Sequence, residues 1–286
     1  MSIVFFNGKF LEEEEIKVSI NDAGYYYGDG FYEVIFLKNG KLIDKEFHLE
    51  RLMKNFTSLY FNNYPSQAEI LSNIREVIKR NNKTDGSIYI QFTRGNAPRT
   101  HEFLELNLKP NFLIKINDDN YNGFEGEIKT RDCCITEDPR RLHCEIKMIS
   151  LLPMVLAKYE AEKNGFQDVI FYNSRVNSIT EGSSFNVFIV SQDDTIITCP
   201  NGNHILPGCT RRRVINIIKE NNYKFEERFY SKDELYNAKE VFLTASLKID
   251  AITNVDKRLI NDGKIGEITK EIRYKYKEFI DKYIDE

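Results

Sequence analysis

Two Asn-Gly dipeptides constrain this chain more than any other feature. They stand at 7–8 in "FFNGKFL" and at 39–40 in "FLKNGKLI", each between apolar flanks. A two-residue hairpin loop needs positive φ at both central positions, and Asn-Gly meets that need with little strain. Each dipeptide therefore predicts a pair of antiparallel strands. "SIYIQFTRG" places Ile88, Ile90 and Phe92 on one face of a further strand, and "NFLIKIN" does the same with Phe112, Ile114 and Ile116. Residues 46–61 are predicted as a helix from the spacing of Leu49, Leu52, Phe56 and Leu59, and 67–81 as a second.

The polar, turn-rich "DDNYNG" at 118–123 reads as a linker. Beyond it, "FNVFIV" and "DTIITC" predict a hairpin, and "TRRRVINIIKENN" a helix with Val214, Ile217 and Ile218 inward. "EVFLTAS" predicts a strand, and the last twenty or so residues an amphipathic helix. Strands and helices mixed along the whole length imply α/β or α+β packing.

Composition removes several function classes. The net charge is -4 with both signs interspersed, so there is no clustered basic footprint for nucleic acid. No apolar run approaches the roughly 20 residues that cross a bilayer. The N-terminal "MSIVFFNGKFLEEEE" lacks the basic region of a secretory signal. The five cysteines, an odd count, are Cys133, Cys134, Cys144, Cys199 and Cys209. A cytoplasmic protein with reduced thiols is expected. Cys133 and Cys134 beside "RLHCEIK" match no zinc spacing, so no metal is expected.

Four stretches carry residues suited to chemistry. In "CEIKMISLLPMVLAKYEA", Lys147 ends a short alternating segment, and a helix with Pro153 in its first turn and Gly165 past its end follows. Lys147 fits either a solvent-facing edge or a partly apolar pocket, where a lysine amine loses its proton more readily and forms a Schiff base. Lys158 and Lys163 lie in the helix and read as solvated. "ITEGSSFNVFIV" offers Gly182, Ser183 and Ser184 before a strand, either an ordinary polar turn or a phosphate cradle of N–H groups, with Glu181 beside it. "ILPGCTRRRV" opens a helix at Gly208 and Thr210, which suits an anion as well as a threonine cap. "TRGNAPRTHEF" sets Arg94, Arg99 and His101 in a loop, either solvated or arranged to clamp a carboxylate.

Taken in order, "DAGYYYGDGFYEV", "FHLERL", "TRGNAPRTHEF", "CEIKMISLLPMVLAKYEA", "TEGSSFNVF", "LPGCTR" and "VFLTAS" resemble the successive motifs of the fold-type IV (class IV) pyridoxal-phosphate aminotransferases. The likeness runs from about Phe5 to "DGKIGEIT" near 262–269. Within the family it is greatest to D-amino-acid transaminases, through Arg99 and His101 of "PRTHEF" and Tyr32 of "GFYEV". The resemblance implies a small N-terminal α/β domain (1–118), a linker (119–123) and a larger pseudo-barrel domain that binds the cofactor (124–286). It implies that Lys147 forms the Schiff base with pyridoxal 5′-phosphate and moves the proton, and that Glu181 faces the pyridine nitrogen. Arg51, Ser184, the backbone around Cys209 and Thr210, and Ser246 would hold the phosphate. Tyr32, Arg99 and His101 would bind the substrate carboxylate, the last two from the partner subunit of a homodimer. D-alanine or D-glutamate and 2-oxo acids are the implied substrates. A branched-chain L-amino-acid aminotransferase and an aminodeoxychorismate lyase share most of these motifs.

Four positions depart from the family pattern. Pro153 stands where "LLG" is usual, Arg141 where an aromatic residue is frequent, and Phe185 where a small polar residue is common. Ala245 replaces a hydroxyl in "TAS", which removes one expected phosphate contact.

Overall fold

Both Asn-Gly dipeptides turn as their backbone preference dictates. Asn7 and Gly8 take φ of 49° and 86°, and Asn39 and Gly40 take 47° and 76°. The strands they join pair Phe6 with Lys9 and Lys38 with Lys41. The computed structural model describes residues 2–102, 107–118, 126–140, 142–246 and 248–285. The chain divides into two compact units, one of Met1–Tyr121 with Ile146–Ser150, the other of Asn122–Glu145 with Leu151–Glu286. The expected linker at 119–123 and Arg141 lie outside the described residues. Ile146–Ser150, which carries Lys147 and which the resemblance puts within 124–286, groups with the N-terminal unit. The reason is backbone pairing. The Tyr32 N–H donates to Lys147 O at 3.0 Å, and the Ile149 N–H donates to Gly30 O at 3.1 Å.

The N-terminal unit contains β1 (Ile3–Phe6), β2 (Lys9–Glu12), α1 (Ala23–Tyr27), β3 (Gly30–Lys38), β4 (Lys41–Leu42), α2 (Lys45–Ser58), α3 (Gln67–Arg80), β5 (Gly86–Thr93) and β6 (Asn111–Asn117). Its strands form one antiparallel sheet in the order β2-β1-β6-β5-β3-β4. Residues alternate across it, as period-two geometry requires. Phe31, Ile35 and Leu37 of β3 and Ile88, Ile90 and Phe92 of β5 are buried in one core with Leu49, Leu52 and Phe56 of α2. Phe56 meets Phe31 and Phe92 edge-on at centroid distances of 4.8 and 4.6 Å. Each such aromatic pair adds about 0.5–1.5 kcal/mol beyond its buried area. Tyr32 and Tyr89, on alternate positions of the same strands, remain half-buried.

The α2 helix stops at Ser58, short of the expected 61. Tyr60 takes φ of 55°, and Arg94 donates to Leu59 O at 2.8 Å. A left-handed residue ends the helix, and a guanidinium takes up a terminal carbonyl.

The second unit contains β7 (Thr130–Glu137), α4 (Leu152–Lys163), β8 (Asp168–Asn173), β9 (Ser178–Gly182), β10 (Asn186–Val190), β11 (Ile196–Thr198), α5 (Cys209–Glu220), β12 (Phe225–Glu227), α6 (Lys232–Tyr236), β13 (Glu240–Ala245), β14 (Lys248–Val255), β15 (Arg258–Leu259) and α7 (Glu267–Asp285). The main path is β12-β11-β10-β13-β14-β7-β8-β9. Strand β9 also pairs with β10, Glu181 opposite Asn186, so the run from β10 to β9 closes on itself as a barrel-like sheet. All residues of β9 and β10 are buried, as expected where both faces of a strand are covered. The predicted hairpin of "FNVFIV" and "DTIITC" is β10 with β11, and Phe188 stacks on Phe242 of β13 at 4.9 Å. Buried Glu240 accepts the Ile268 and Thr269 N–H groups at 3.0 and 2.8 Å and so satisfies the first turn of α7.

Candidate active site

In the N-terminal unit, the segment holding Lys147 runs beside β3, with Met148 bridging Phe31. That pairing leaves Lys147 half-buried, its Nζ 4.4 Å from the centroid of the Tyr32 ring. The Tyr32 ring stacks on Tyr89 at 5.8 Å, and Tyr89 donates its hydroxyl to Gln91 Oε1 at 2.6 Å. An amine on an aromatic face has little freedom and a partly dry setting, which suits a nucleophile. Lys147 is thus partly sheltered against Tyr32 rather than fully exposed. Lys158, expected to be solvated, does keep 41% of its side chain exposed, and it also pairs with Asp168 at 3.1 Å.

Arg51 is buried against Glu33, an acid on the core-facing side of β3. Its Nε and Nη2 donate to the two Glu33 oxygens at 2.9 and 2.7 Å. His48 Nδ1 lies 3.0 Å from Glu33 Oε1. Burial alone would raise the Glu33 pKa, yet the Arg51 and His48 charges and hydrogen bonds outweigh it and hold the carboxyl well below the usual range. A two-point clamp fixes the guanidinium plane.

The three cations of the "TRGNAPRTHEF" loop separate into two roles. Arg94 is tied to Asp29 by Nη2 at 3.0 Å and by a second bond from Nε. Arg99 and His101 are exposed. Both flank Tyr27: Arg99 lies 6.0 Å over its ring, and His101 meets it edge-on at 5.7 Å. Phe103 of the motif lies outside the described residues.

In the second unit, Glu181 sits where β9 meets β10 to close the barrel. It is 4% exposed, and three donors reach its oxygens. Arg140 Nη1 donates to Oε1, and Asn186 Nδ2 donates to Oε2 at 2.9 Å. The Leu206 N–H reaches both oxygens at 3.1 Å. Arg140 is itself held by Asp138, which accepts from its Nε and Nη2 at 2.9 and 2.8 Å. Burial pushes the Glu181 carboxyl up, to about 7, against the downward pull of Arg140 and the Leu206 amide. A cationic ring nitrogen placed against it would stabilise the ionised form.

This shift has a stability consequence. Folded Glu181 keeps its proton in a range where the unfolded chain, near 4.5, has lost it. Its contribution therefore falls as pH rises from about 4.5 towards 7, by roughly 3 kcal/mol at ~1.36 kcal/mol per unit. Glu33 has the opposite sign, its contribution being present above about 4.5 and lost as pH drops towards its depressed folded value. We expect the melting temperature of the cofactor-free protein to fall less between about pH 5 and pH 7 in Glu181→Gln than in wild type. Parallel profiles would contradict the shift.

The remaining predicted residues lie on turns and a helix start. Ser184 is exposed in the turn after β9, and Ser246 is exposed in the turn after β13. Helix α5 begins at Cys209 with Gly208, not Thr210, as its N-cap, and no side chain caps it. Cys209 and Thr210 are buried in its first turn. Gly208 has no room for a side chain, since a Cβ would fall 2.2 Å from Asn186 Oδ1. Such a start presents backbone N–H groups to an anion. The reading from sequence misses Glu33, Asp138, Arg140 and Asn186, which orient the predicted residues. Arg140 lies 41 positions from Glu181, and nothing in its own stretch marks the pair.

The amino-transferase class IV family matches residues 30–254. The chain is 35% identical to D-alanine aminotransferase of Staphylococcus haemolyticus over 284 residues, 98% of this chain and 99% of that protein. It is 35% identical to the D-alanine aminotransferase of Bacillus licheniformis over 278 residues, 94% of each. Among solved structures, a branched-chain amino acid aminotransferase from Escherichia coli shares the fold with a TM-score of 0.85 at 24% identity, over 95% of this chain and 92% of that one. The branched-chain amino acid aminotransferase from Thermobaculum terrenum, in its PLP-bound holo form, matches with a TM-score of 0.85 at 23% identity, over 98% and 94%.

Proposed function

This chain belongs to the class IV aminotransferases, and from that membership we propose that it moves an amino group between a D-amino acid, D-alanine or D-glutamate, and a 2-oxo acid, with pyridoxal 5′-phosphate as cofactor. One observation carries the D-specific reading: 35% identity with D-alanine aminotransferases extends over 98% of the chain. The likeness to branched-chain enzymes, at 24%, bears on the fold alone.

Each unit carries groups of the kind the cofactor needs, which supports the reading: in one a half-buried amine rests on Tyr32, and in the other three donors hold a buried acid and an uncapped helix start offers N–H groups. When bound, the cofactor supplies an electron sink for charge developing at the substrate Cα. Lys147 Nζ would tether the cofactor and, once displaced by the incoming amino group, would carry the proton from the substrate Cα to the cofactor carbon on the other side of the nitrogen. Glu181 holds the ring nitrogen protonated. Arg140 and Asn186 keep its carboxylate oriented, and Asp138 keeps Arg140 in place. Arg51, Ser184, Ser246 and the backbone at Cys209 and Thr210 hold the phosphate. Glu33 holds Arg51 at a fixed angle.

We assign the substrate carboxylate to Tyr32, Arg99 and His101, with the last two reaching into the second copy of a homodimer. Their exposure on the loop supports that assignment. The five free cysteines support residence in the reducing cytoplasm. No described helix is long and apolar enough to cross a membrane.

Arg99→Ala tests the assignment. It should raise KM for D-alanine about 10- to 100-fold, the worth of a charged hydrogen bond near ~1.5–3 kcal/mol. Mixing Arg99→Ala with Lys147→Ala subunits should restore activity, because each heterodimer would keep one intact site. An unchanged KM removes the carboxylate role. No complementation after verified subunit exchange means the loop serves its own chain.

A further inference from the structure

The two serines of the turn after β9 have different surroundings. Ser183 Oγ donates to Asp168 Oδ1 at 2.6 Å, while Ser184, one residue on, is exposed. Asp168 opens β8 and is 7% exposed. Its Oδ1 also accepts its neighbour's Val169 N–H at 2.9 Å, and its Oδ2 faces Lys158 Nζ of α4 at 3.1 Å. The turn is closed twice more. The Gly182 N–H donates to Phe185 O at 2.8 Å, and the Phe185 ring lies so close to Gly182 that a Cβ there would come within 2.1 Å of it. Phe185, the departure from the family's small polar residue, thus lies under the turn.

We infer that Lys158, Asp168 and Ser183 are positioning residues that hold this turn in the shape its neighbour Ser184 needs to bind the cofactor phosphate. The inference rests on the proposed phosphate role of the turn. Ser183 has one hydroxyl proton, and Asp168 takes it, so Ser183 anchors while Ser184 presents. A nearly buried carboxylate beside an anion site would repel the anion if left uncompensated. Lys158 supplies the compensating charge and fastens α4 to the start of β8. The wide exposure of Lys158 does not weaken this role, because Asp168 at the other end of the pair is sheltered.

The test compares pyridoxal 5′-phosphate with pyridoxal, which lacks the phosphate. Dissociation constants for both are measured by absorbance titration of the cofactor-free protein. Ser183→Ala and Lys158→Met should each weaken the phosphorylated cofactor about tenfold, the order of one hydrogen bond or screened charge, and leave pyridoxal unchanged, whereas Asp168→Asn, which keeps an acceptor for Ser183 and drops the charge, should have a smaller effect. Ser183→Thr, which keeps the hydroxyl, should restore wild-type affinity, and Lys158→Met with Asp168→Asn together should be milder than Lys158→Met alone. Lys163→Ala on the same helix should change neither constant. Equal weakening of both ligands would mean a merely structural role and overturn the inference, as would no weakening of either. Ser184→Ala separates the two levels. If it too leaves the ratio of the constants unchanged, the phosphate reading of the turn fails. If it alone lowers the preference for the phosphorylated ligand, the phosphate reading stands and the anchor fails.

Discussion

Lys147→Ala is expected to abolish transamination. Of the three lysines in and just after "CEIKMISLLPMVLAKYEA", Lys147 is the one we propose for the task. Lys158 is committed to Asp168 at 3.1 Å, and Lys163 is exposed at the end of α4. Lys147 alone of these rests on an aromatic ring, at 4.4 Å. In the proposed mechanism, loss of its amine removes both the covalent tether and the base that moves the substrate proton. Since the two functions share one atom, no residual pathway of similar rate is available, and loss of a positioned proton-transfer group by itself costs about 10²–10⁴-fold. The variant should lack the visible absorbance of the lysine-bound cofactor. In wild type, borohydride reduction followed by peptide mass spectrometry should place the adduct on Lys147. An active Lys147→Ala, or an adduct on Lys158 or Lys163, would overturn the assignment.

Glu181→Gln is the second large effect. Glutamine keeps the shape of the side chain, and its one oxygen in the Oε2 place can still accept from the Asn186 amide and the Leu206 N–H, while its NH2 group takes the place of the oxygen that accepts from Arg140. It discards the charge that favours a protonated ring nitrogen. An unprotonated ring draws electrons poorly, so the charge developing at the substrate Cα is less well stabilised. Turnover should drop by roughly 10²–10⁴-fold, the range for a lost acid–base partner. Cofactor binding should persist, because the proposed phosphate donors are elsewhere. Arg140 stays paired with Asp138 in the variant, which limits the cost to folding. A kcat within a few-fold of wild type would remove Glu181 from the proton balance.

Much of this is legible from local chemistry. The Asn-Gly hairpins and the alternation of β5 and β6 follow from backbone preference and period-two burial, and both depend only on neighbours in sequence. The ordered motifs bring Lys147 and Glu181 forward as candidates. What stays unread in the sequence involves partners distant along the chain. Glu33 has the look of a solvent-facing residue in a strand, and only its placement against α2 makes it the clamp of Arg51. Arg140 and Asn186 matter because β9 and β10 meet at the closure of the barrel. The partner of Lys158 goes unread because helical spacing reports nothing about Asp168 on a neighbouring strand. The cap of α5 is Gly208 rather than Thr210 because Asn186 packs against the glycine and leaves no space for a side chain.

Stereochemistry is the most direct test of the function. The purified enzyme is incubated with 2-oxoglutarate and one amino acid at a time, D-alanine, L-alanine, L-leucine or L-valine, and the glutamate formed is resolved by chiral chromatography. A carboxylate anchored by Arg99, His101 and Tyr32 fixes which face of the substrate carries its Cα–H towards Lys147, so the wrong enantiomer binds with that hydrogen misdirected. The expected result is D-glutamate from D-alanine, with little product from the L-amino acids. L-glutamate formed from L-leucine, with D-alanine left unconsumed, would contradict it.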